Sequence, residues 1–417
     1  MQKRNFLFIV LVIFANTLFA HEAEDSLVVF NTQTGKNEVF DLPTGMADNY
    51  EKLLQEWHAR NYLSLSTDCQ TSNEIPVFPD SVYADRLARI PAVMELPYNS
   101  IVRGFIDAYA VKQRSKVAYM LGAMNFYMPV FEEALDLYNV PNELKYLPVI
   151  ESALNPSAVS RAGAAGLWQF MLKTGKIYGL VSNSLVDERR DPIKSTFAAA
   201  RYLSELYKIY NDWTLVIAAY NCGPGNVNKA IRRANGSTDY WTIYNYLPRE
   251  TRGYVPAFIA ANYIMNYYCE HNICPMNTEL PAGSDTIVLH RDVHFKQISE
   301  LCGVSLEQLH ALNPQYKTEL VPGYSLECTL RLPAEAIASF IDLGDSLYAY
   351  KANELLSRRK YVSVKGGSVN AVYHKIRNGE TLSTIARKYG VSVNNLKKWN
   401  NLKNSRIRAG KRLRVSP

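Results

Sequence analysis

The strongest constraint on the fold is an internal repeat in the C-terminal third. Ile298-Ser299-Glu300-Leu301-Cys302-Gly303-Val304-Ser305 matches Ile385-Ala386-Arg387-Lys388-Tyr389-Gly390-Val391-Ser392. The match continues at the same offset, without a gap, through Leu309/Leu396 and Asn313/Asn400 to Gly323/Gly410. Each copy reads as a helical stripe, a Gly-Val-Ser break, a second helix ending at asparagine, and a glycine turn into a short apolar strand, Leu330-Arg331-Leu332 or Leu413-Arg414-Val415. Strand, helix, helix, strand is the simplest unit with that pattern. The chain therefore has to fold as a larger body followed by two small modules.

The body is expected to be helical. Ile101, Phe105, Ala108 and Tyr109 form one apolar stripe, Val117, Met120, Leu121 and Met124 a second, and Phe131, Ala134, Leu135 and Tyr138 a third. Asp191-Pro192 supplies an N-cap and a first-turn proline for a helix from Ile193 to Ile209, and Asp212 caps another from Trp213 to Asn221. Asn235-Gly236 closes a short helix, and a last apolar helix is expected from Ala257 to Tyr268. Near the N-terminus only a strand pair around Val28-Val29-Phe30 and Val39-Phe40 and a helical pattern from Asn49 to Arg60 are readable. The expected divisions are 1–20, an export signal; 21–79, of unclear fold; 80–275, the helical domain; 284–333, the first repeat; 334–370, helical spacer and linker; and 371–417, the second repeat.

The export signal rests on Lys3-Arg4, the mostly apolar run Phe6 to Ala15, and a cleavable end at Ala20. It is too short to span a bilayer, so a mature chain without a transmembrane segment is expected outside the cytoplasm, in the periplasm or cell envelope. No cysteine precedes Cys69, so a lipoprotein acceptor is not expected. In an oxidising compartment Cys269 and Cys274 are close enough in sequence to pair, and Cys302 and Cys328 are the second expected pair. There is no Cys-x2-Cys motif, and His271 beside Cys269 and Cys274 is too little for a zinc site, so no metal is expected. The net charge of +7 is concentrated behind Tyr361, where thirteen Lys or Arg face the single acid Glu380. An exported chain meets wall and surface polymers rather than nucleic acid, so that is where the basic tail points.

One helix carries an anomaly. Between Pro141 and Asn155-Pro156, Leu144, Leu147, Glu151 and Leu154 recur at helical spacing, which puts Glu151 within the apolar stripe and in the last turn. Partial desolvation and the negative end of the helix dipole both favour its protonated form, the property a general acid needs. A buried glutamate paired with Lys or Arg is the structural alternative.

Three further blocks follow in order: Gly166-Leu167-Trp168-Gln169-Phe170-Met171, Ala219-Tyr220-Asn221-Cys222-Gly223-Pro224-Gly225, and Glu250-Thr251-Arg252-Gly253-Tyr254-Val255. With Glu151-Ser152 they resemble the blocks of the family 23 lytic transglycosylases over roughly residues 80 to 275. The two repeats resemble LysM modules, the second through Tyr373 to Ala386; the first lacks the Gly-Glu-Thr-Leu loop. The resemblance implies a mainly α, lysozyme-like catalytic domain of the α+β superfamily followed by βααβ modules. It implies cleavage of the bond between N-acetylmuramic acid and N-acetylglucosamine in peptidoglycan strands, with a 1,6-anhydro product. Glu151 would be the catalytic acid and then base, without a cofactor. Ser152, Gln169, Tyr220, Asn221, Glu250 and Tyr254 would be groove residues, with Ser152 orienting the acid or the substrate and Glu250 holding hydrogen bonds or shaping catalysis. Gly379, Glu380, Thr381, Leu382 and the facing Asn404 to Arg408 segment correspond to the LysM sugar site, although Leu382 and Ile385 also read as core.

The residues agree with a single-carboxyl chemistry. An ordinary glycosidase flanks the bond with two carboxylates, whereas Asp191 and Asp212 read as helix caps and Asp187 and Glu188 sit beside Arg189-Arg190. Cys222 stands where the family commonly has alanine. It reads as a small buried residue or half of a disulfide, since a cysteine nucleophile would need a histidine partner that no motif supplies. A monomer is expected. Two rival readings keep the same residues: a muramidase that uses water, and a wall-binding protein that cuts nothing.

Overall fold

In a computed structural model of the chain, the described residues are 26–47, 53–54, 74–356 except 279 and 282, and 373–414 except 377–379, 390–392, 401, 403, 405–406 and 409. The export signal, most of the helical pattern from Asn49 to Arg60, and Gly379 lie outside them. The chain divides into two compact units: Met1–Asp285 with Gly303–Glu319 and Arg331–Ala338, and Thr286–Cys302 with Leu320–Leu330 and Ser339–Pro417. No described helix is long and apolar enough to cross a membrane.

The first unit opens with the expected hairpin, β1 (Ser26–Asn31) paired antiparallel to β2 (Lys36–Asp41), with Val28 opposite Val39. Helices α1 (Asp80–Arg89), α2 (Ser100–Asp107) and α3 (Arg114–Leu137) follow. The second and third apolar stripes both lie on α3, which passes through Pro129 without ending. Next come α4 (Leu147–Ser152), α5 (Pro192–Tyr210), α6 (Trp213–Cys222), α7 (Pro224–Arg233) and α8 (Arg249–Asn266). Asp191 accepts from the Ile193 and Lys194 amides and Asp212 from the Leu215 amide, so both aspartates are caps.

Helix α8 begins at Arg249, eight residues before the start expected from Pro256. A proline inside a helix leaves the carbonyl four residues back without its partner, here that of Arg252. The Tyr240 hydroxyl donates to that oxygen at 3.0 Å, which lets the helix run through. Residues 253 to 265 are then buried without a break, and α8 is the apolar axis around which α2, α4 and α6 pack.

Helix α4 is shorter than its apolar pattern suggests. Pro148 has no N–H for the Leu144 carbonyl, so residues Asn142–Tyr146 form a 3-10 turn and the α-helix begins at Leu147. It ends where Ala153 and Leu154 take φ of 50° and 60°, two successive left-handed residues. One face of α4 is covered by the one-turn helix Thr44–Ala47 from the segment that the sequence left unread. Lys116 Nζ and Gln113 Nε2 donate to the Met46 carbonyl at 2.6 and 2.9 Å and hold that turn down.

The repeats differ from each other. The second has the expected order: β7 (Tyr373–Lys375), α12 (Leu382–Tyr389), α13 (Val393–Trp399) and β8 (Arg412–Arg414), with β7 antiparallel to β8 over a core of Ile376, Leu382, Ile385, Ala386, Leu396 and Leu413. The first inserts an extra strand pair. Its elements are β3 (Ser284–Leu289), β4 (Asp292–His294), α9 (Phe295–Cys302), α10 (Leu306–Leu312), β5 (Leu320–Pro322) and β6 (Cys328–Pro333), with β3 beside β6 and β4 beside β5; α11 (Ala334–Ala349) continues the chain between the repeats. Residues Gly303–Glu319, which carry α10, belong to the first unit. One device is common to both copies. Asn313 donates to the Leu309 and Arg331 carbonyls and accepts from the Arg331 amide, and Asn400 makes the same three bonds to Leu396 and Arg414.

Neither expected disulfide forms. Cys269 has a free thiol and Cys302 is not joined to Cys328, while Cys274 is disulfide-bonded. Cys269 and Cys274 are separated by a 3-10 turn, Cys269–His271, that leaves the first exposed and the second buried. Sequence proximity says nothing of such divergence.

The contact between the Thr44–Ala47 turn and α4 is checkable. A Cβ on Gly45 would lie 2.4 Å from the Val149 carbonyl oxygen and 2.6 Å from the Ala153 nitrogen. Gly45→Ala should lower stability by about 1–3 kcal/mol in urea unfolding, as overpacking does. An unchanged midpoint would mean that the turn does not rest on α4.

Candidate active site

The site is built where α4 ends against the middle of α8. Glu151 is only 9% exposed. Its Oε1 accepts a short hydrogen bond from the Tyr254 hydroxyl, and among the described residues no lysine or arginine is paired with it. Burial pushes the carboxyl up to about 8; the Tyr254 bond pulls against that shift, and the negative charge of Glu250 adds to it. The ion-paired structural glutamate is thus not what Glu151 is. At neutral pH it is a neutral acid held by a phenol, itself pushed well above the usual tyrosine range by burial and by Glu151.

The loop after α4 is tied to its neighbours through its carbonyls. Ser152 Oγ donates to the Leu167 carbonyl at 2.9 Å and to Pro148 at 3.1 Å, and Tyr220 on α6 donates to Trp168 at 2.8 Å. Ser152 is fully buried, and its hydroxyl bonds to the Leu167 and Pro148 carbonyls rather than to the Glu151 carboxyl. The reason is geometric: consecutive residues on a helix point about 100° apart, and one of the pair must face inward. Gln169 takes φ of 45°, donates to the Gly166 and Ala158 carbonyls at 2.8 and 3.3 Å, and keeps a buried Oε1 with no partner.

Asn221 turns its Oδ1 to the Thr251 hydroxyl at 2.8 Å and so ties α6 to α8. Glu250, in the exposed first turn of α8, makes no hydrogen bond among the described residues, and its charge contributes to raising Glu151. Cys222 is half-buried and reduced, with its thiol pushed up by burial, which leaves it a weak nucleophile.

Sequence reasoning missed Arg189. Its guanidinium is 8% exposed, pairs with Asp187 at 2.8 Å, and donates to the Gly163 and Phe170 carbonyls at 2.8 and 3.0 Å. A Cβ on Gly166 would meet the Arg189 carbonyl oxygen at 1.8 Å, so glycine is required there by close approach as well as by its φ of 86°. The signal was present as two glycines and an Asp-x-Arg triplet, but nothing in the sequence joins them.

In the second repeat, Leu382 is core. Glu380 bonds His374 at 2.6 Å, and Thr381 is exposed and engaged with Thr384. Asn404 and Arg408 are exposed. Among the described residues no cluster of three or more His, Cys, Asp or Glu side chains converges as a metal site would.

Comparison with known proteins gives this geometry a context. Residues 128–243 match the family described as transglycosylase SLT domain, 284–349 that of the lytic transglycosylase MltD LysM-like domain, and 374–416 the LysM domain. Over 281 residues the chain is 34% identical to membrane-bound lytic murein transglycosylase D of Escherichia coli strain K12, covering 66% of this chain and 60% of that protein. Over 124 residues it is 32% identical to the soluble lytic murein transglycosylase of the same strain, covering 28% of this chain and 19% of the other. The chain thus spans less than two thirds of the length of either relative. The residues around Glu151 form a transglycosylase SLT domain, and an MltD-type LysM-like domain and a LysM domain follow it.

Proposed function

We propose that the chain is a peptidoglycan lytic transglycosylase of the bacterial envelope. The observation that carries this reading is the buried carboxyl of Glu151, bonded to Tyr254 and, among the described residues, without an ion-pair partner. The relatives' printed names, each a lytic murein transglycosylase, point to the same bond. Glu151 gives its proton to the glycosidic oxygen as the bond from C1 of N-acetylmuramic acid breaks, which leaves the departing N-acetylglucosamine with a free 4-hydroxyl. The carboxylate then takes the proton of the C6 hydroxyl as that oxygen bonds to C1. The products are the shortened strand and a 1,6-anhydro end; no water is consumed, and Glu151 returns to its starting state.

Tyr254 steadies the carboxylate formed midway, at the moment when its burial is least favourable. Gln169 and Tyr220 are offered as groove residues, with Asn221 and Ser152 supporting them from behind. The basic second LysM module, with Thr381 and neighbouring backbone, is read as the wall-binding element, and tethering would raise the enzyme's local concentration at its polymer. The export signal from the sequence is consistent with that location.

The first test is digestion of purified sacculi. Wild type should release muropeptides ending in anhydro-muramic acid, and Glu151→Gln should release none at measurable rate; reducing ends from the wild type would make it a hydrolase. The same substitution should raise stability. A glutamate whose folded pKa is raised contributes stability that is present below its unfolded pKa and lost as pH climbs toward the folded value of about 8. At pH 7 the wild type therefore carries a cost on the order of 3 kcal/mol that glutamine removes. Urea unfolding should show that gain at pH 7 and little of it near pH 4.

The pH profile of kcat/KM supplies signs. Activity needs protonated Glu151, so the alkaline limb should fall near pH 8. Tyr254→Phe removes the bond that favours the ionised form and should move the limb up; Glu250→Gln removes a repelling charge and should move it down. Shifts in the opposite directions would contradict the assignment.

A further inference from the structure

The first repeat reaches the active-site loop through a chain of contacts that wall binding does not require. Tyr316 forms an antiparallel bridge with Val186. On either side, the Asp187 amide donates to the Gln315 carbonyl and the Lys317 amide to the Leu185 carbonyl, both at 2.8 Å. Lys317 Nζ donates to the Asn183 carbonyl at 2.7 Å and lies 3.9 Å from Asp187 Oδ2. Gln315 and Tyr316 are buried in this contact.

Asp187 hands the contact on. Its two oxygens accept from Arg189 Nε and Nη2 at 2.9 and 2.8 Å, a bidentate pair that fixes the plane of the guanidinium. Burial pushes the Asp187 carboxyl up, but Arg189, and after it Lys317, outweigh burial and hold it below the usual range. The remaining Arg189 nitrogen closes on the Gly163 and Phe170 carbonyls, the two ends of the turn that carries Gln169 and receives Ser152 and Tyr220.

We propose that residues 315–317 of the first repeat, acting through Asp187 and Arg189, are a positioning clamp on the active-site loop, so that turnover by the catalytic domain depends on a segment that follows it in the chain. The clamp rests on the transglycosylase reading for its effect on rate, but not for its effect on the loop. Arg189 is a positioning residue: it touches loop carbonyls, and its lysine replacement would keep the charge while losing the fork that spans three partners.

The test uses the full chain, a soluble glycan tetrasaccharide, and two variants, Arg189→Lys and Lys317→Met. Both should lower kcat, Arg189→Lys by roughly tenfold or more and Lys317→Met by about threefold, with KM and sacculus co-sedimentation little changed, because a slightly displaced site loses rate before it loses binding. Backbone amides from Gly163 to Phe170 should exchange hydrogen faster in both variants at an unchanged thermal midpoint. Unchanged exchange in that loop, or a rate loss explained by unfolded protein, would overturn the clamp. Lost sacculus binding with unaltered kcat would do so as well, and would make the segment a wall anchor. If the wild type released no anhydro product, the reaction assignment would fail, and the exchange rates alone would still decide the clamp.

Discussion

The site depends on what it costs to bury a carboxyl group. Glu151 sits at the end of α4 against the buried stretch of α8, with one hydrogen bond from Tyr254 and, among the described residues, no paired cation. An ionised carboxylate in such a place is unaffordable without more donors, so the group keeps its proton at neutral pH. Every neighbouring feature follows from holding that arrangement. Pro148 sets where α4 begins, two left-handed residues stop it one turn later, and the Thr44–Ala47 turn closes its outer face.

A neutral acid is useful only if the segments around it are equally fixed. The loop from Ala158 to Phe170 bonds partly within itself, through the bridges Val159–Ala165 and Ala165–Phe170, and its Gly163, Leu167, Trp168 and Phe170 carbonyls also accept from outside, from Arg189, Ser152 and Tyr220. Each of these donors comes from a different part of the chain. The residues chosen from sequence as substrate contacts make different bonds: Gln169 bonds within the loop, Tyr254 donates to Glu151, and Ser152 and Asn221 bond to neighbouring segments.

Much of this was legible in the sequence because it is local. The caps Asp191 and Asp212, the last-turn position of Glu151, the Asn235-Gly236 stop and the βααβ order of the second repeat all depend on residues a few positions apart. What escaped depends on distant partners. Helix α8 runs through Pro256 because Tyr240 takes up the freed carbonyl, and nothing in residues 249–256 announces that. Arg189 matters through carbonyls 19 and 26 residues away, and Gly45 through a helix about a hundred residues on. The disulfide expectations failed for the same reason, since spacing along the chain does not set the direction of a Cys side chain.

The central claim is that Glu151 is a protonated acid at neutral pH because of its surroundings. It can be measured without turnover by following the side-chain carboxyl carbons of isotopically labelled glutamates in the free protein by NMR across pH. One glutamate should titrate near 8, far above the ordinary value of about 4.3, and its signal should be missing in Glu151→Gln. If the signal lost in Glu151→Gln belongs to a glutamate that titrates in the ordinary range, the carboxyl is ionised at neutral pH and the account is wrong.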